Sequence, residues 1–218
     1  QDIDLTQLDA RYHLHDNESW TSDLRFNYRA LNDYPEFVIF PAGSTLPVGS
    51  DGNIASTPLG GIVTFSDGVL GRPAVFDRFA ELDWITLYTG WTNHQWRLAL
   101  GIKHERESTE ELKNFGPGVI DGSEGVVDGT LTDVTGTANI FLGNHRRSVK
   151  YLSLQDEWNF AADWTLTGGL RYDHYSDFGG TLNPRLALVW ATRHDLTSKL
   201  MVGRAFRAPS FGEMYATT

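Results

Sequence analysis

The chain has 218 residues, among them 22 glycines, seven tryptophans and no cysteine, and its formal net charge is −10. The acidic balance argues against nucleic acid as a partner, and the missing thiols exclude disulfide frameworks and cysteine-based metal or catalytic sites. No run of about 18 apolar residues is available for a spanning helix, so a membrane role would have to come from strands.

Alternation of apolar and polar residues is the main signal along the chain. Residues 7–14 set Leu8, Ala10, Tyr12 and Leu14 against Gln7, Asp9, Arg11 and His13. After the turn HDNES, residues 20–30 repeat the pattern, with Trp20, Leu24, Phe26 and Tyr28 opposite Asp23, Arg25, Asn27 and Arg29. Residues 79–91 form a third predicted strand and WRLALGIKHERE, from Trp96, a fourth. Residues 149–160, 164–175, 185–191 and 196–206 supply four more. In the fifth, Asp156 falls on the same face as Leu152, Leu154 and Trp158, a defect in an otherwise apolar row.

The connections alternate in length. HDNES, TNHQ, AAD and TRHD are hairpin-sized, whereas about 31–78 and 108–147 are long and lack a sustained period, which marks them as functional or disordered loops. With eight antiparallel strands in four hairpins, short turns fall on one edge and long loops on the other. Six of the seven tryptophans, Trp20, Trp91, Trp96, Trp158, Trp164 and Trp190, lie close to the short turns. An indole buries its body in acyl chains while keeping its N–H wet, so this edge reads as a membrane-interface girdle. The expected fold is therefore all-β: an antiparallel up-and-down transmembrane β-barrel, here a partial barrel of about eight strands. A soluble β-sandwich would show the same alternation with its apolar face inward. It would be a binding or adhesion module recognising a partner through its long loops.

DEWNFAADWTLTGGLRYDHYSDFGGTLNPRLALVW, from Asp156 to Trp190, followed by GRAFRAPSFGEMY, resembles the barrel domain of TonB-dependent outer-membrane receptors. Asn183, Pro184 and Arg185 open one strand, and Phe206, Arg207, Ala208, Pro209 and Ser210 follow another; together with the Gly169–Asp173 segment GLRYD they carry the likeness. The resemblance implies residence in the outer membrane of a Gram-negative bacterium, a barrel of about 22 strands, a plug domain filling it, and uptake of a scarce nutrient. The ligand most often found in the family is an iron chelate, or siderophore. It also implies two partners, outer-membrane lipid and the TonB energy-transducing complex, the latter through a TonB box not present in this chain. Residues 1–218 accordingly read as part of one β-barrel domain, with the plug and remaining strands absent.

Ligand contact is expected from the long loops and the inward face. Tyr34, Phe37, Phe40 and Arg72 offer stacking and charge to an aromatic or anionic chelate, and Arg25 and Arg29 line the interior. The Phe206–Ser210 motif is expected to fix a strand exit, leaving Phe206 and Phe211 to an outer girdle and Arg204 and Arg207 to headgroup phosphates or neighbouring strands. No histidine spacing suits a metal, the acidic stretch Asp121–Asp133 lacks an EF-hand ladder, and no nucleophile or phosphate loop is found. Neither an enzyme nor a cofactor is expected.

Overall fold

The computed structural model describes residues 2–216. In chain order its strands are β1 (Asp2–Asp16), β2 (Trp20–Tyr34), β3 (Phe37–Phe40), β4 (Ser44–Gly49), β5 (Leu59–Phe65), β6 (Val69–Tyr88), β7 (His94–Lys113), β8 (Val126–Val127), β9 (Thr132–Asp133), β10 (His145–Ala161), β11 (Trp164–Tyr175), β12 (Gly179–Arg193) and β13 (Leu196–Gly203), followed by a short helix, α1 (Phe211–Tyr215). Eight of the strands make an antiparallel meander in the order β1-β2-β6-β7-β10-β11-β12-β13. These are the eight strands that the alternation predicts. Among the described residues no helix is long and apolar enough to cross a membrane, which says nothing of strands.

Register joins the separate alternations into continuous rows. Tyr12, Leu24, Trp84, Leu100, Leu152, Tyr172 and Leu182 lie side by side across seven strands. One residue along, on the opposite face, run Arg11, Arg25, Asp83, Gly101, Tyr151, Asp173 and Thr181. Burial is the reverse of a soluble sheet: Tyr12 is 67% exposed and Leu152 46%, whereas Asp173 is 4% exposed and Asp23 5%. Leaving such a leucine in water forfeits about 1.5–3 kcal/mol each. A sandwich would have covered the apolar row with a second sheet, and among the described residues nothing packs on it. The apolar face looks outward and the charged face inward, as in a membrane-spanning barrel wall.

Two strand ends fall short of expectation, while most other strands run longer, and β12 opens at Gly179 rather than at Asn183–Arg185. The third strand stops at Tyr88 instead of Trp91, because residues 89–93 make the turn and Asn93 takes φ +65°. The eighth stops at Gly203 rather than Phe206, after which the Arg204 N–H still donates to Pro184 O at 2.9 Å. Prolines sit where ladder donors are not needed. Pro47 lies on β4, an edge strand, and Pro184 lies one step beyond the last paired residues of β12 and β13, consistent with the loss of one donor.

The long loops are structured rather than period-free coil. β4, β5 and β8 form a separate three-stranded sheet. Its centre is a dry core in which Val48, Val63, Phe65 and Val69 are fully buried, with Leu46, Ile54, Phe115, Ile120 and Val127 packed around them. β3 and β9 extend the pairing of β6 and β7 above the wall. Gly60 and Gly61 let the two loops meet, since a Cβ on them would come within 2.4 Å of Asp121 O and 2.2 Å of Gly122 O. Asn114, fully buried, completes the joint: its Oδ1 accepts from the Leu70 N–H at 2.8 Å, and its amide donates to Gly68 O and Asp128 O, both at 2.9 Å.

Candidate ligand-binding rim and lumen wall

Charged groups on the inward face satisfy one another across strands. Asp23 takes Arg11 at 2.6 Å and His13 at 2.7 Å, with Arg25 at 3.8 Å, while Lys103 meets Glu81 at 2.8 Å. Tyr151 Oη donates to Asp83 Oδ1 at 2.5 Å, reaching over β7. That bridge needs Gly101, because a Cβ there would fall 2.2 Å from both partners. Arg171 grips Asp173 through two nitrogens and lies 3.9 Å from the centre of the Tyr151 ring. Bidentate geometry and stacking hold that guanidinium against the wall.

The six residues named for ligand contact do not form one cluster. Phe40 packs against the loop core and is a structural residue of the knob. Tyr34 meets the Phe76 edge with ring centres 5.8 Å apart, and Phe37 is exposed at the start of β3. Arg72 is held by Glu36 at 2.6 Å, and Arg29 by Asp77 at 3.1 Å while lying over Phe79. The outer rim presents Tyr34, Phe37 and the Arg72–Glu36 pair, while Arg25 and Arg29 belong to the wall below it.

A cavity of about 300 Å³ in the loops, lined by Asn53, Glu111, Lys113, Phe115, Asn139 and Phe141 among others, has no counterpart in the sequence reading. Lys113 and Glu111 are both buried there, 3.3 Å apart. Lys113 Nζ also donates to Asn139 O at 2.8 Å, and Glu111 Oε2 accepts the Phe141 N–H at 2.7 Å. Lysine and glutamate at alternate positions of a strand give no sign that both are buried, because their burial comes from the loop folding back. In the acidic stretch, Asp121 accepts from the Ser123 hydroxyl and N–H, Asp128 from the Thr130 N–H and Asp133 from the Thr135 N–H. These local donors hold the three carboxyls below the usual range. Among the described residues no three metal-ligating side chains converge.

The Phe206–Ser210 motif ends as a knot on the inward side. Arg147, on the inward face of β10 with its side chain 4% exposed, donates to Asp177 at 2.7 Å and to Pro209 O at 2.9 Å. Its guanidinium also lies 4.8 Å from the Phe211 ring centre and 5.2 Å from that of Phe178. His145 stacks on Tyr215 with centres 4.0 Å apart. Ser210 and Glu213 form a capping box at the start of α1. Arg207 takes both oxygens of Glu213 at 3.0 and 2.6 Å, and that pairing, with the Ser210 N–H, brings the Glu213 carboxyl down to about 2. Two expectations are thereby corrected. Phe211 is buried under Arg147 instead of joining an outer girdle, and Arg207 is committed to Glu213 instead of to a headgroup.

At the short-turn edge, rings follow one another across four strands. Trp91 meets Trp96 edge-on, Trp96 stacks on His94, His94 on Trp158, Trp158 leans on Phe160, Phe160 on Trp164, and Trp164 stacks on Trp190 at 4.8 Å. Trp20 stands on β2 with its N–H donated to Thr86. The pattern defect Asp156 is paired here, its Oδ2 2.7 Å from His94 Nδ1.

An outward-apolar meander with a charged inner face, tight turns on one edge and folded loops on the other defines the wall of a transmembrane β-barrel. A family model, TonB dependent receptor-like, beta-barrel, matches residues 1–218. The chain belongs to that family, whose members are receptors of the Gram-negative outer membrane rather than enzymes, and the outer membrane is where this chain resides. A structure similar in fold is that of the ferric citrate transporter FecA in its unliganded form, with a TM-score of 0.50 and 13% identity over 91% of this chain. The chain covers 27% of that transporter's length. No curated protein matches the sequence.

Proposed function

We propose that the chain is the wall and outer-loop portion of a receptor for TonB-coupled active uptake of a scarce nutrient, an iron chelate of the siderophore type. The observation that carries this reading is the inverted wall: apolar rows exposed on the outside, paired charges inside, and a dry core confined to the loops. Such a wall is useful only in lipid, and loops folded into a solid knob at one end suit capture of a solute from outside. Tyr34, Phe37 and Arg72 supply aromatic faces and a cation at that rim, and Arg25 and Arg29 continue the charge into the lumen. The six tryptophans at the opposite edge serve as the interfacial girdle.

Residues 1–218 form part of one barrel domain in this reading. Among the described residues β1 and β13 are each paired on one side only, and hydrocarbon cannot satisfy a free strand edge. Further strands of the same barrel would pair those edges, a plug domain would fill it, and a TonB box outside these residues would engage the energy-transducing complex. The test is growth on ferric siderophores as sole iron source, with and without the gene, together with uptake of labelled chelate. We expect uptake to disappear in the deletion strain and on collapse of the proton-motive force. Unchanged uptake in both cases would overturn the reading.

A further inference from the structure

Three arginines stand side by side on the outward face. Register places Arg78 of β6, Arg106 of β7 and Arg146 of β10 in one row, ten residues along each strand from the row of Tyr88, Trp96 and Asp156 at the short-turn edge. A tilted strand crosses the apolar part of a bilayer in about 9–11 residues, so the arginines fall at the headgroup level of the opposite leaflet. Like charges directly opposite one another repel, and here no acid offsets the repulsion. Arg78 is held by neutral acceptors only, Leu31 O and Asp77 O at 3.0 Å and Asn32 Oδ1 at 2.7 Å. Arg106 and Arg146 make no side-chain hydrogen bond or ion pair with any described residue, and neither does Lys150, two rows below. The outward strand acids nearest by register, Asp4 and Glu110, stand one and two rows further out. Below the arginines the same face is hollowed. A groove of about 370 Å³ runs over Phe26, Ala80, Leu82 and Ile102, with His104, Ser148 and Lys150 along one side. His104 Nδ1 lies 3.1 Å from Ser148 Oγ, which holds that side in place. Both features belong to the middle of the wall. Since β6, β7 and β10 are each paired on both sides, strands added at β1 or β13 do not reach this face, and a domain filling the lumen would lie on the other.

We propose that this part of the wall is a discrete binding site for a lipid with a phosphate headgroup in the leaflet on the loop side. One acyl chain lies in the groove and the phosphate on Arg106 and Arg146, whose planar N–H forks match its oxygens in pairs. Arg78, fixed by its three acceptors, adds positive potential without having to move. Lys150 lays its methylenes along the groove and turns its ammonium up towards the headgroup. The conjunction selects the ligand: the groove alone would accept any acyl chain, and the arginine row alone any anion. The inference is independent of the uptake reading and needs only the outward orientation of the apolar face.

Lipid titration of the full-length receptor, delipidated in non-ionic detergent, tests the site. Dioleoyl phosphatidic acid or dioleoyl phosphatidylcholine is added, and bound lipid is counted by native mass spectrometry with and without excess inorganic phosphate. We expect one phosphatidic acid to bind with a preference over phosphatidylcholine of about tenfold or more, through charge-assisted hydrogen bonds to the exposed phosphate, and inorganic phosphate not to displace it. The double variant Arg106→Gln/Arg146→Gln should abolish the preference. Ala80→Phe, which fills the groove, should weaken phosphatidic acid while leaving the arginine row intact. Retained heat-modifiable migration on gels would show that the variants still fold, and the comparison of the two lipids on the wild-type receptor needs no variant. Equal binding of the two lipids, or a preference that survives the double variant, would overturn the proposal, because the face would then hold lipid without selecting it. Displacement by inorganic phosphate would overturn it in favour of a free-phosphate site. A receptor that forms dimers cross-linked through Lys150 would overturn it in favour of a second copy on this face.

Discussion

The loop knob and the barrel wall obey opposite rules within one chain. In the knob, Val48, Val63, Phe65 and Val69 are fully buried and packed as in any water-soluble domain. In the wall, leucines such as Leu100, Leu152 and Leu186 stay exposed, while Asp23, Asp173 and Arg147 are buried. Solvent makes the difference. Lipid is as apolar as leucine, so the wall gains nothing by hiding its leucines and must instead satisfy its charges inward. The knob stands in water and has to exclude it. β6 and β7 belong to both regions: each has 20 residues, far more than the roughly ten that cross a bilayer.

If the knob is an independent dry core, it should be breakable without the wall. Phe65→Ala should cost the knob about 3–5 kcal/mol, the usual effect of removing a fully buried aromatic side chain. We expect faster hydrogen exchange and proteolysis across residues 41–70 and 115–130, with heat-modifiable gel migration unchanged. Loss of that migration as well would mean that the knob and wall fold as one unit.

The wall can be probed from its other side. Leu100→Arg places a cation on the outward face and should destabilise the barrel by about 2–4 kcal/mol if the site lies near the bilayer midplane. Thr181→Arg, on the inward row, should have a much smaller effect. Urea unfolding in lipid vesicles followed by tryptophan fluorescence compares the two, and equal losses would contradict the outward orientation.

How well each region could be read from sequence follows from the same contrast. The wall was legible because a pleated strand in lipid shows its environment residue by residue, so Tyr12, Leu24 and Trp84 announce their face without knowledge of their neighbours. The strand ends shifted: turn geometry at Asn93 and the departure of the chain after Gly203 shortened two strands, while β6, β7 and β12 run well beyond the expected bounds. The knob was illegible because its strands are short and its key polar residue, Asn114, is buried by contacts with residues 44 and 46 positions earlier and 14 later. LGGIVTF did carry a usable signal, since adjacent glycines inside an apolar strand mark close backbone approach. Phe40, whose aromatic ring suggests ligand contact, is partly buried and packs against the core. In the C-terminal motif the aromatic and basic residue types were visible, but nothing local links Arg147 to Pro209, 62 residues away.

The knot joining wall to rim offers the finest test, through pH. Glu213 is an exposed carboxylate brought to about 2 by Arg207 and by the Ser210 N–H. A carboxyl whose folded value lies below its ordinary value of 4.5 contributes stability that is complete above that value and is lost as the pH falls towards 2. The Arg207–Glu213 clasp and the capping box should therefore hold at neutral pH and at pH 5 and open progressively below about 4. The Arg147 hydrogen bond to Pro209 O involves no carboxyl, so the Phe211 side of the knot should open later than the Ser210 side. Hydrogen exchange of residues 206–215, corrected for its intrinsic pH dependence, should rise between pH 5 and 3. Glu213→Gln should already exchange fast at pH 5 and lose the pH response. If the wild-type segment exchanges alike at both pH values, the clasp contributes nothing to holding the segment on the wall, and Arg147 alone retains it.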